Sequence, residues 1–411
     1  MKCILFEDAS HFDLLPFTYT RPLYELRSGI LTCKERWEKS LNQPLAGLPY
    51  DYLGLRFGYE LPDEAHTWIN GKYVPDAELL RLVRETAPGT YYLSAEGEVL
   101  CASFSPGQLP AVHDGIISPE LLASLGLREE KTQLSPLAIR HLPDLFRLNA
   151  QLIRNDFPLV ATAPSEPLRD PYTRVYGADN LYISPGVTIR AAIINAEDGP
   201  VYLGPHSEIG EGAIIKGTHA FCEHSSLSMG AKMRGDTTVG PWSKVGGEIG
   251  NSVVMGYSNK AHDGYMGNSV LGYWCNLGAD SNTSNLKNTY ENIRIWHEPS
   301  GRFRDTGLQF CGLMMGDHSK CAINTMFNTG TVIGVSANVF GEGFPRTFIP
   351  SFAWGGHAGF STYKPEKAFE VAKIVMSRRK MTLEEAEKAI LKTVFELTAK
   401  WRVWEQGTGN S

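Results

Sequence analysis

No run of apolar residues in this 411-residue chain is long enough to cross a bilayer. The opening, MKCILFEDAS, alternates apolar with acidic residues and holds no continuous apolar core, so it is not expected to act as a secretory signal. Charge of a single sign is missing too. Charged residues make up 20% of the chain, the net charge of -6 is spread without long blocks, and nothing resembles a nucleic-acid-binding surface. Small-molecule substrates are expected instead. The seven cysteines, scattered from Cys3 to Cys321, contain no CxxC pair. An odd, unpaired set fits reduced thiols in a cytoplasm better than a disulfide framework or a zinc site.

What is present begins with a length that allows about two or three domains. Over the first 160 residues an apolar strand at Cys3 to Phe6, an amphipathic stretch from Ile30 to Leu41 and a strand at Thr67 to Asn70 suggest an α/β domain. The proline-rich segment ATAPSEPLRDP, Ala161 to Pro171, reads as a connector. The expected division is a domain over 1–165, a second over 172–363 and a helical segment over 364–411.

From Leu203 the register becomes strict. Leu203, Ile209, Ile215, Phe221, Leu227, Met233, Val239 and Val245 fall six residues apart, and a small residue mostly stands two places before each, as at Ser207, Ala213, Ser225 and Ser243. The pattern returns at Met315, Cys321, Phe327, Ile333 and Val339, while Leu271, Leu277 and Thr283 keep the spacing between the two runs. A hexapeptide period is the signature of a parallel β-helix with a triangular cross-section, in which each hexad makes one side and its aliphatic residue points inward. Antiparallel strands would show period two. The expected architecture is a left-handed parallel β-helix with C-terminal helices, preceded by a Rossmann-like α/β domain. Asn285 to Gly312 breaks the period and reads as a loop or hairpin leaving the prism. After Pro365 the chain is helical by pattern, with Thr382 to Glu385 (TLEE) as the expected capping box.

The segment KAHDGYMGNSVLGYWCNLGADSNTSNLKN carries a histidine, a tyrosine three residues on, an asparagine eleven further and another nine beyond: His262, Tyr265, Asn276 and Asn285. These intervals resemble the active-site coils of the bifunctional GlmU-type enzymes, which acetylate glucosamine 1-phosphate and then uridylylate it. The whole chain is similar to an alternative form of that enzyme, whose N-terminal half belongs to a divergent sugar-nucleotidyltransferase family. The resemblance implies His262 as catalytic base, Arg234, Tyr265, Asn276 and Asn285 at the sugar phosphate with Lys260 as an addition, and Gly278 and Ala279 at the acetyl group of acetyl-CoA. It also implies a homotrimer. A further phosphate-gripping lysine of the family falls at Gly250 here, so Lys244 or Lys260 would have to substitute.

The chemistry can be stated from the residues alone. An ammonium cannot attack a thioester, so a base must take a proton as the sugar amine approaches, and a neutral imidazole suits that near pH 7. Donors for the tetrahedral oxyanion would most simply be backbone N–H groups in the Gly278-Ala279 coil.

The N-terminal half lacks the glycine-rich loop with which sugar nucleotidyltransferases ordinarily cradle nucleotide phosphates. It reads LFEDASHFDLLPFTYTRPLYELRSGILTCKERWEK, which resembles the divergent family and implies Arg21 and Arg27 as phosphate contacts. In TWINGKYVPDAEL, Asn70 stands where ordinary members place a magnesium-binding aspartate. An amide is a weaker Mg2+ ligand than a carboxylate, and Asp63 or Asp76 would have to supply the charge. That substitution counts against uridylyl transfer; the resemblance nevertheless implies uridylyl transfer from UTP and acetyl transfer together. The alternatives are one activity beside a degenerate domain acting as sensor or scaffold, and a trimeric zinc carbonic anhydrase drawing on His219, His224, His262, His297 and His318.

Overall fold

The computed structural model describes residues 2–60, 64–106 and 115–405. The chain forms two compact units, one from Met1–Leu26 and Leu31–His141, the other from Arg27–Ile30 and Leu142–Ser411.

The first unit is an α/β domain around a six-stranded sheet. Its strands are β1 (Lys2–Phe6), β2 (Ala46–Leu48), β3 (His66–Asn70), β4 (Thr90–Leu93), β5 (Val99–Phe104) and β6 (Arg128–Lys131), in the order β2-β1-β3-β5-β4-β6. β1 pairs in parallel with β2 on one side and β3 on the other. The strand order therefore reverses at β1, and the carboxyl ends of β1 and β3 flank the crevice where open α/β sheets bind ligands. The amphipathic stretch forms a helix over Cys33–Leu41. It starts three residues later than the apolar pattern, because Thr32 and Glu35 close a capping box and leave Ile30 outside.

The second unit is the expected left-handed parallel β-helix followed by helices. Three sheets of eight, nine and ten strands form its sides. Each strand pairs with the one a coil away, so that Leu203 stands beside Phe221 and Phe221 beside Val239. All eight aliphatic or aromatic residues of the first hexad run are buried in one core. Each such side chain contributes about 1.5–3 kcal/mol by leaving water.

Between the two hexad runs the prism continues with shorter corners. Ile249 pairs with Met233, Val254 with Val239 and Lys260 with Val245, so successive inward positions lie four, five and six residues apart. The excursion after Thr283 carries an antiparallel hairpin, Arg294–His297 with Arg302–Asp305. Trp296 stacks on Phe348 at 4.3 Å and meets Trp401 edge-on at 5.2 Å.

Two helices follow, Pro365–Ser377 and Glu385–Leu397. The capping box is Glu384 with Glu387, not the expected Thr382 with Glu385. The side chain of Glu384 accepts from the N3 backbone, and its own N–H donates to Glu387 Oε2 at 3.1 Å. Among the described residues no helix is long and apolar enough to cross a membrane.

Candidate active site

His262 lies on an exposed bend just after the short strand Asn259–Lys260, and the chain then enters the strand Tyr265–Gly267 on the neighbouring sheet. The imidazole thus stands at a corner between two faces of the prism. On one side is a cavity of about 630 Å³ lined by His262, Asn276, Gly278 and Ala279 together with Lys244, Lys320, Arg378 and Arg379. Four cations around one cavity suit an anionic ligand. Lys320 Nζ donates to the His318 carbonyl at 2.8 Å, and burial lowers its pKa to about 8. Arg378 and Arg379 follow the helix Pro365–Ser377, where sequence alone does not distinguish them from a solvated helical face.

On the other side Arg234, Tyr265 and Asn285 are grouped. The Tyr265 phenol is pushed up by burial and drawn back by the Arg234 charge and by a hydrogen bond with Asn285. Arg234 also pairs with Glu248 at 2.8 Å, and Asn285 Nδ2 donates to Asn268 Oδ1 at 2.7 Å. A Cβ at Gly267 would come within 2.2 Å of the Tyr265 hydroxyl and 2.7 Å of Asn285 Nδ2, so a glycine is needed for both polar groups to lie over the strand. Asn276 lines the cavity on the opposite side of His262 from this group.

Two expectations are corrected here. Lys260 does not present its ammonium to a phosphate. It is 1% exposed, and its Nζ donates to the carbonyls of His262, Asp263 and Gly246 at 2.5, 2.9 and 3.3 Å. The Gly278 N–H is also committed, donating to the Cys321 carbonyl at 3.1 Å as part of the coil ladder. Within a single chain the five histidines do not converge: among the described residues no three His, Cys, Asp or Glu side chains are placed to share a metal ion. His219 is buried and its pKa lowered to about 4 by that burial, with Nδ1 against the Gly217 carbonyl at 3.1 Å.

In the first unit the carboxyl ends of β1 and β3 bring together Asp8, Asn70 and Lys72. Asn70 Nδ2 donates to Asp8 Oδ2 at 2.9 Å and to the Val99 carbonyl at 3.0 Å. Lys72, fully buried, bridges Asp8 at 2.6 Å and Glu98 at 2.8 Å. Arg140 and the Tyr73 hydroxyl, both at 2.9 Å, complete the shell of Glu98. Burial would raise the Glu98 pKa, but hydrogen bonds from Arg140 and Lys72 overcome it and hold it at about 2. This donor set does not fit Mg2+, because the ammonium of Lys72 already occupies the position between the carboxylates. Asp76 does not supply the missing charge either; it caps the helix Ala77–Glu85, accepting from the Leu79 N–H at 2.8 Å. Asp63 lies outside the described residues.

Arg27 departs from the phosphate-binding expectation. It belongs to the second unit, is 6% exposed, and its guanidinium donates to the Ile30 carbonyl and lies 4.0 Å from Cys222 Sγ. Arg21 remains half-buried in the first unit. The sequence reading missed Asp8, Lys72 and Glu98. The acidic pair Glu7-Asp8 directly after the first apolar strand was the available signal, since that position ends a strand.

Residues 3–163 match a family model described as sugar nucleotidyl transferase. The bifunctional protein GlmU of Synechococcus elongatus is 24% identical over 209 residues, which cover 48% of this chain and 42% of that protein. A bifunctional sugar-1-phosphate nucleotidylyltransferase/acetyltransferase of Sulfurisphaera tokodaii is 26% identical over 153 residues, 36% of this chain and 38% of that protein. The chain spans about two fifths of the length of these curated relatives. Among solved structures, the UDP-N-acetylglucosamine acyltransferase of Campylobacter jejuni is 14% identical, with 55% of this chain and 95% of that one covered at a TM-score of 0.22. That score is too low to establish a common architecture. The sequence matches make the chain GlmU-like.

Proposed function

We propose that this chain is a bifunctional transferase of sugar-nucleotide synthesis. It moves the acetyl group of acetyl-CoA to the amine of glucosamine 1-phosphate, then a uridylyl group from UTP to the sugar phosphate, giving UDP-N-acetylglucosamine. The observation that carries the reading is the corner position of His262, with a cation-lined cavity on one face and Arg234, Tyr265 and Asn285 on the other. The cations suit the phosphates of CoA, and the second group suits a sugar phosphate.

In this reading Arg234, Tyr265 and Asn285 hold the sugar so that its amine faces the thioester across His262. The imidazole takes one proton as the nitrogen attacks the carbonyl carbon. With the Gly278 N–H committed to Cys321, the Ala279 N–H is the one of the two that this reading assigns to the oxyanion. Collapse of the adduct breaks the C–S bond, and His262 returns its proton to the departing thiolate. Three copies acting together in the cytoplasm follow from the same resemblance.

For the nucleotidyl step, the crevice at β1 and β3 supports nucleotide binding near Asp8 and Lys72. A second reading, acetyl transfer alone beside an inactive first unit, is favoured by one specific observation: Asp8, Asn70, Lys72 and Glu98 already satisfy one another.

The test is release of free CoA thiol from acetyl-CoA and glucosamine 1-phosphate, with His262→Ala measured in parallel. The expected outcome is release that falls by about a hundredfold or more in the variant. Equal release from both proteins, or none with any amino-sugar phosphate, would overturn the assignment. Adding UTP and magnesium then distinguishes the two readings, because only the bifunctional enzyme releases pyrophosphate.

A further inference from the structure

A charged side chain occupies an inward position of the prism. Lys260 pairs with Val245, whose side chain is wholly buried in the core, and because Asn259 pairs with Asn276, Lys260 stands beside Leu277. The repeat places an apolar residue at every such site of the first run. An ammonium here must be fully hydrogen-bonded to be tolerated. It has three N–H donors, and three carbonyls receive them: His262, Asp263 and Gly246. From below, Ser228 Oγ donates to the Ala261 carbonyl at 2.8 Å. The carbonyls of Ala261, His262 and Asp263 are thus held in succession, on a bend whose His262 and Asp263 side chains are exposed.

We propose that Lys260 is a positioning residue for His262, its buried ammonium fixing from inside the prism the corner from which the imidazole reaches the cavity. The inference rests on the acetyl-transfer reading for its consequence, but not for its geometry. An apolar residue would fill the core at least as well, so the lysine's particular contribution is its grip on this one bend. Burial lowers the Lys260 pKa to about 8, while Asp263, Cys321 and Asp280 favour the charged form. Above that pH the neutral amine has two donors and a lone pair facing three carbonyls. One hold is then lost, and the rate should fall as pH rises through about 8.

The experiment is Lys260→Met, which keeps an unbranched apolar stem one atom shorter and removes all three donors. With both proteins folded, kcat should fall at least about tenfold while KM for each substrate stays within about threefold, as expected for misplacement of a catalytic group. With acetyl-CoA saturating, so that titration of Lys320 in the cavity near the same pH does not register, the alkaline limb of kcat near pH 8 should be absent from the variant. Independently of turnover, carbethoxylation of His262, followed by peptide mass with His262→Ala as the blank, should change rate severalfold between wild type and variant. Unchanged kcat and unchanged carbethoxylation, or the same alkaline limb in both proteins, would overturn the proposal. If the variant does not fold, carbethoxylation of wild-type His262 between pH 7 and 9 decides: a step near pH 8 supports the role and a profile without one refutes it. A wild type that releases no CoA defeats the acetyl-transfer reading, while the carbethoxylation result still judges the positioning.

Discussion

At the scale of single residues, the site depends on where charges and backbone groups are already committed. Lys260 looks in sequence like one more surface cation next to a histidine, yet its donors are spent on carbonyls. Arg378 and Arg379, which sequence alone could not separate from a solvated helix face, line the cavity beside His262. Replacing both by alanine should raise KM for acetyl-CoA about tenfold with little change in kcat, and the difference should shrink as salt is added. Steady-state kinetics at two ionic strengths checks this. Gly278 is fixed by a different constraint: a Cβ there would lie 2.4 Å from backbone atoms of Ala322 and Ile323 in the next coil. Gly278→Ala should therefore push two coils apart, lowering the melting temperature by several degrees and reducing CoA release.

Elements are held by contacts that a pattern only partly announces. The second C-terminal helix starts at Glu385 because Glu384 and Glu387 cap it reciprocally. Thr382 with Glu385 has the same three-residue spacing, so the spacing alone does not choose between them; the helix begins at Glu385 and takes Glu384 with Glu387 as its pair. Glu384→Ala should cost about 1 kcal/mol, read as a shift in the denaturant midpoint. In the first unit the Glu98 cluster joins β3 and β5 through Lys72 and Arg140. Because the folded Glu98 pKa is lowered to about 2, its contribution is complete above the unfolded value near 4.5 and is lost as pH falls from there toward about 2. A Glu98→Gln variant should flatten that part of the acid unfolding curve, measured by circular dichroism between pH 5 and 2.

For the whole molecule, the proposed assembly predicts a mass about three times the 45.4 kDa chain in sedimentation equilibrium, with a single chain as the contrary result.

The prism could be read from the sequence because its core repeats: one inward residue per hexad leaves a period that nothing else imposes. Legibility ended where the corners shorten. Ile249, Val254 and Met266 escaped the pattern because four- and five-residue intervals keep the side of the prism but not the count. The spacing of His262, Tyr265, Asn276 and Asn285 was likewise a linear fact. Which of them share a face was not, since Asn276 and Tyr265 lie on sheets that diverge at the His262 corner. The sequence by itself determined the repeat and the α/β start, both set by local spacing, while the candidate base came from a resemblance in the intervals around His262. Only the tertiary structure decided that Lys260 points inward, that Arg27 packs against Cys222 and that Lys72 fills the position between Asp8 and Glu98. Each of those depends on partners far away in the chain, and a charge acquires its role only when the groups that solvate it are in place.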